Sequence, residues 1–84
     1  MADPLLTPVQ LGHVLQSARK ARKLTQAAVG ARLDLSQKRV SAMELDPASI
    51  PVDQLLKLCA VLDLELSIGQ KGAPQAGAPE QVEW

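Results

Sequence analysis

The sequence contains no phenylalanine and no tyrosine, and its one tryptophan is Trp84. Leu, Val and Ala supply nearly all of the apolar residues, so the core must be aliphatic. A single cysteine, Cys59, excludes an intramolecular disulfide and a cysteine metal cluster. It fits a reducing cytosol and reads as a small buried thiol on an apolar helix face. The one histidine, His13, has no Cys, Asp or Glu at ligand spacing and reads as a surface or helix-flank residue, so no metal and no cofactor are expected. No run approaches the roughly 18 apolar residues that span a bilayer. The opening MADPLLTP lacks the basic and long apolar regions of a secretion signal, which points to a cytoplasmic protein. Catalysis has no candidate: there is no glycine-rich phosphate loop, paired acid or activated nucleophile, and the chain is too short to enclose a sizeable substrate. The sequence does not read as an enzyme.

Net charge is zero, but the charges are unevenly placed. Residues 1–45 carry seven bases against three acids, a balance of +4, and residues 46–84 carry two bases against six acids, a balance of −4. A basic front half suits phosphate contact, and an acidic rear half suits a different partner. The 84 residues allow one domain of marginal stability, for which dimerisation is a natural supplement. We divide the chain into an arm over 1–6, a folded and dimerising domain over 7–68, and a tail over 69–84.

Thr7-Pro8 opens a first helix, with Gln10 completing a capping box. Leu11, Val14, Leu15 and Ala18 form its buried stripe, and the helix runs to about Arg22. Thr25 caps a short second helix to about Leu33, and Ser36 caps a third to about Leu45. Only Asp34-Leu35 separates these two. Pro47 and Pro51 bracket a loop, after which Val52, Leu55, Leu56, Cys59 and Leu62 mark the inward face of a fourth helix. Leu58 and Val61 widen that stripe beyond one small core, which suggests a contact with a second copy. Leu64, Leu66 and Ile68 alternate with Glu65 and Ser67 as in a half-buried strand. A lone strand needs a partner, and antiparallel pairing with the same segment of a second subunit supplies one. The tail from Gly69, rich in Gly, Pro, Ala and Gln, reads as disordered in isolation.

The segment TQAAVGARLDLSQKRVSAMEL carries the functional signal. Val29, Leu33, Leu35, Val40 and Met43 can close one miniature core across the turn. Gly30 marks a close approach of two helices, since a mid-helix Gly costs about 1 kcal/mol relative to Ala. Asp34 stands where Gly is usual and tolerates positive φ. Leu24-Thr25-Gln26, Ser36-Gln37 and Val40-Ser41-Ala42-Met43-Glu44 together resemble the helix-turn-helix of the phage-repressor and Cro-like (XRE) family, over about residues 11–66. The resemblance implies an all-α, lambda-repressor-like domain of four to five helices whose third helix lies in the major groove of duplex DNA. Carried over, Gln37, Lys38 and Ser41 face the bases, and Arg39 sits at the groove or the adjacent phosphates. Ser36 and Gln26 hold phosphate through side chain and helix N-terminus. Arg19, Lys20, Arg22 and Lys23 either add phosphate affinity or form only a solvated helix end.

Most such repressors end in a fifth helix, whereas this sequence has LELSI, then a tail closing in Glu83-Trp84. With Glu44-Leu45-Asp46-Pro47, that arrangement resembles the HipB-type antitoxins. It implies a homodimer joined through the added strand that represses its own operon at an inverted repeat and neutralises a HipA-type serine/threonine kinase toxin. Trp84, with Val82 as a lesser contact, is the expected toxin anchor, because tryptophan is enriched at binding hot spots. A stand-alone repressor without a toxin is the alternative, and a protein-interaction module on the same scaffold is a third reading.

Overall fold

In the computed structural model, which describes residues 4–71, the first three α-helices begin directly after the residues that the sequence offers as caps, Thr7, Thr25 and Ser36. The elements are α1 (Pro8–Ala21), α2 (Gln26–Leu33), α3 (Gln37–Leu45), a single 3₁₀ turn over Pro47–Ser49, and α4 (Val52–Val61). At α1 the Thr7 hydroxyl accepts from the Gln10 amide at 3.2 Å while the Gln10 side chain accepts from the Thr7 amide at 2.9 Å. Thr25 accepts from Ala28 N–H, and Ser36 from Arg39 N–H, each at 3.0 Å. Each cap satisfies an amide that the first helical turn would leave unpaired.

Helix ends use left-handed residues. Asp34 has φ 60°, and the following Leu35 amide donates back to the Gly30 carbonyl at 2.8 Å, which turns the chain sharply from α2 into α3. Lys23 (φ 56°) and Asp63 (φ 58°) do the same for α1 and α4. There the next amide, Leu24 or Leu64, reaches back to Arg19 or Cys59, closing a Schellman motif.

The core is Leu15 from α1, Val29 from α2, Val40 and Met43 from α3, and Leu58 and Leu62 from the end of the chain's last helix. Each such burial contributes about 1.5–3 kcal/mol. Leu33 and Leu35 pack against this group, so the five residues of the miniature core do meet across the turn. Val14, expected in the α1 stripe, is exposed. The α4 face is also rotated from its expected setting. Leu55, Leu58, Cys59 and Leu62 point inward at helical spacing, whereas Val52 and Leu56 lie 68% and 50% exposed. Leu58 is therefore core rather than surplus. Apolar residues occupy so much of α4 that two stripes fit its periodicity, and packing against α2 selects between them.

Gly12 and Gly30 set the distances between helices. A Cβ on Gly12 would fall 2.6 Å from the Glu44 carbonyl oxygen and 2.9 Å from Pro47 Cγ, and one on Gly30 would collide with the Leu35 carbonyl. The expected close approach at Gly30 is present, and a second one ties α1 to the end of α3.

Leu64–Ile68 forms neither helix nor ladder, because no other strand lies among the described residues to pair with it. Leu64 packs against the core, whereas Ile68 is 97% exposed. No helix among the described residues is long and apolar enough to cross a membrane.

Candidate nucleic-acid interface

Burial of Val40 and Met43 leaves Gln37, Lys38, Ala42 and Leu45 exposed on α3, with Ser41 half-buried beside them. The Ser36-capped N-terminus of this helix opens onto the N-terminus of α2. Between α2 and the end of α1 lies an open cleft of about 510 Å³, lined by Lys20, Lys23, Thr25, Gln26 and Gln37 among others. Two ammonium groups and a helix N-terminus facing one cleft make a niche for an anion. Ser36 uses its oxygen as an acceptor for Arg39 N–H, which leaves its hydroxyl proton free to donate.

The expected cations divide. Lys23 and Lys38 are exposed, but Arg19, Arg22 and Arg39 are engaged within the protein. Arg19 donates from Nε to Glu44 Oε2 at 2.6 Å, from Nη2 to Glu44 Oε1 at 3.2 Å, and from Nη1 to the Leu24 carbonyl at 3.0 Å. The side chains of this pair are 11% and 6% exposed, so Arg19 braces α1 against α3 and against the turn that leads into α2. Arg22 turns away toward α4, donating to the Leu62 carbonyl at 2.7 Å and to Asp63 at 2.8 Å. Arg39 is half-buried and donates to Gln54 of α4 at 3.0 Å. These guanidinium groups are satisfied by carbonyls and carboxylates within the fold, and the bond is most sheltered from water at the Arg19–Glu44 pair.

Gln26 and Gln37 are joined directly, Gln37 Nε2 donating to Gln26 Oε1 at 2.6 Å. Gln26 in turn donates from Nε2 to Glu44 Oε1 at 3.0 Å. Sequence reasoning placed both glutamines at the interface but gave Glu44 no role. Its signal was its place at the close of the Val40-Ser41-Ala42-Met43-Glu44 motif. Ser41 faces a second cleft, shared with Val9, Gln16, Gln26 and Glu44. Val82 and Trp84 lie outside the described residues.

The HTH_3 family, described as helix-turn-helix, matches residues 15–68, most of the chain. The chain belongs to the helix-turn-helix family. The helix-turn-helix so identified contains all of the interface above, from Lys20 to Leu45, and is of the XRE type. No curated protein matches the sequence. Among solved structures, the fold is similar to HipB in the HipB–O1–O2 complex, with 19% identity and a TM-score of 0.75 over 82% of this chain and 100% of that one. It is likewise similar to HipB in an O2 20mer complex, with 20% identity and a TM-score of 0.76 over 84% and 99% of the two chains. A chain of the HipA–HipB–O2–O3 complex gives 18% identity and a TM-score of 0.76 over 83% and 99%. The helix-turn-helix domain thus has the HipB fold along nearly the full length of those chains.

Proposed function

We propose that this protein is an autoregulatory repressor and antitoxin, a homodimer that reads an inverted repeat in duplex DNA and neutralises a HipA-like Ser/Thr kinase. The observation that carries the reading is the outer face of α3 beside the cation-lined α2 cleft. Gln37, Lys38 and Ser41 stand where a major groove would meet them, with phosphate held by Gln26, Ser36 and Lys23. Lys20 joins them from the same cleft. The likeness to HipB supports the wider reading, since HipB occurs in complexes with HipA.

Dimerisation places two such helices at half-sites about 34 Å apart, one turn of the duplex. Leu64, Leu66 and Ile68 pair with their counterparts in the second copy, which covers the outward residues of that segment. Val82 and Trp84 contact the kinase.

The deciding experiment measures binding to the upstream DNA of the protein's own gene and to random duplex across a range of salt. A reader of operator DNA loses affinity steeply as salt rises, prefers the operator, and weakens by about 1–3 kcal/mol at particular bases on Gln37→Ala. Weak binding that is indifferent to sequence at low salt sinks the repressor reading. For the antitoxin half, deletion of residues 80–84 should abolish capture of the kinase. Undiminished capture removes Val82 and Trp84 from that role.

A further inference from the structure

We infer that Arg22 is a positioning residue that ties the end of α1 to the root of segment 64–68 and so fixes which spacing of half-sites the dimer accepts. The inference rests on the proposed reading of an inverted repeat by two copies joined through that segment. Arg22 is the residue on which α1 closes, between Lys20 and Lys23, which line the open cleft beside α2. Its guanidinium reaches α4. Nε donates to the Leu62 carbonyl at 2.7 Å, and Nη2 donates to the Asp63 carboxylate at 2.8 Å. Leu62 is the C-cap of α4, where carbonyls lack a partner within the helix and carry the negative end of its dipole, so a cation is well placed there.

Both acceptors belong to the residues from which the segment departs. Asp63 is left-handed, with φ 58°, and the Leu64 amide returns to the Cys59 carbonyl at 2.8 Å. Leu64 then packs against the core while Ile68 is 97% exposed, so residues 62–64 set the direction in which the segment leaves. A guanidinium is a rigid plane, and two donors on it hold a carbonyl and a carboxylate at fixed positions relative to α1. The two charged side chains are 44% and 82% exposed, and an ion pair this open adds little to stability. Its consequence is geometric. Two reading heads on a stiff junction engage both half-sites at one separation, whereas a loosened junction gives up affinity at that separation and tolerates others.

The test uses the full chain and the inverted repeat that the wild type selects from a random-sequence pool. Beside it stand duplexes with one base pair inserted or removed between the half-sites, and a duplex that holds one half-site alone. One base pair displaces a half-site by about 3.4 Å and turns it by about 35°. Arg22→Met keeps an unbranched stem and removes both donors. It should lose about tenfold of the wild-type preference for the selected spacing, with affinity for the single half-site unchanged. Asp63→Asn keeps the shape and tolerates positive φ but removes the negative charge, and should lose about threefold. It decides the question where Arg22→Met does not fold. In the free protein, the Nε–H of Arg22 should exchange with solvent more slowly than that of the exposed Arg32. Spacing preference unchanged in the folded variants, or equal exchange at the two arginines, overturns the inference. A fall in half-site affinity that leaves the spacing preference intact assigns Arg22 to phosphate and overturns it as well. Wild-type protein that selects no paired half-sites overturns the dimeric reading itself, and that outcome is distinct because it appears before any substitution is made.

Discussion

Substitution of Gly12 by Ala tests how tightly α1 is seated against the end of α3. A Cβ there would stand 2.6 Å from the Glu44 carbonyl oxygen, 0.8 Å inside the 3.4 Å at which ordinary contact begins, and 2.9 Å from Pro47 Cγ, 0.5 Å inside it. Neither obstacle is the end of a flexible side chain. One is the backbone of α3 and the other a proline ring, so relief requires α1 to move as a body. Overpacking of this kind costs about 1–3 kcal/mol, and two stiff neighbours place it near 3. Ala is a better helix former than Gly by about 1 kcal/mol, which leaves a net loss of about 2. For a domain of this size that corresponds to a fall in Tm of about 8–16 °C. Urea unfolding followed by far-UV circular dichroism should show a lower midpoint with an unchanged slope. Gly69→Ala is the control: nothing lies within 4 Å of the added carbon, and stability should stay within about 0.5 kcal/mol. A Gly12→Ala protein as stable as the wild type would refute the argument.

Arg19→Met strips the buried Glu44 carboxylate of its counter-charge and should cost about 3–5 kcal/mol, whereas the double change Arg19→Met with Glu44→Leu should recover most of that loss in thermal melts. Lys23→Gly removes a side chain from a left-handed backbone position and should raise stability by about 0.5–1 kcal/mol, while filter binding shows weaker affinity for all duplexes and a shallower salt dependence. Burial pushes the Cys59 thiol above its ordinary value of 9.0, so the folded protein favours the neutral thiol. Its contribution is full below pH 9 and declines as pH rises through the folded value, so the stability difference between wild type and Cys59→Ala, from urea titrations across pH 7–11, should narrow at the alkaline end.

Caps and turn chemistry were legible because they depend on neighbours in sequence. Thr7, Thr25 and Ser36 each announce a helix start through a side chain that reaches only three residues ahead, and Asp34 signals its left-handed turn by residue type alone. Left-handed Lys23 had no such signal, since lysine is not selected for that conformation by its own chemistry. The inward face of α4 was misread because Val52, Leu56 and Leu58 are equally apolar, and only the position of α2 chooses among them. The partners of the arginines were hidden for a related reason. A run of cations beside a helix-turn-helix looks like a phosphate grip until the partners of Arg19 and Arg22, which are 25 and 41 residues away in Glu44 and Asp63, are brought alongside by the fold. Gln26 and Gln37 were placed at the interface by local pattern, but the bond between them depends on the crossing of α2 and α3.

The aliphatic core has a practical consequence. Residues 4–71 contain no aromatic side chain, so the folded domain is nearly transparent above 270 nm and all near-ultraviolet emission comes from Trp84. Any partner that covers residue 84 therefore changes the entire signal of this protein in that band. An emission titration with a candidate kinase, after subtraction of the kinase's own emission, would read a single residue of this protein without a label.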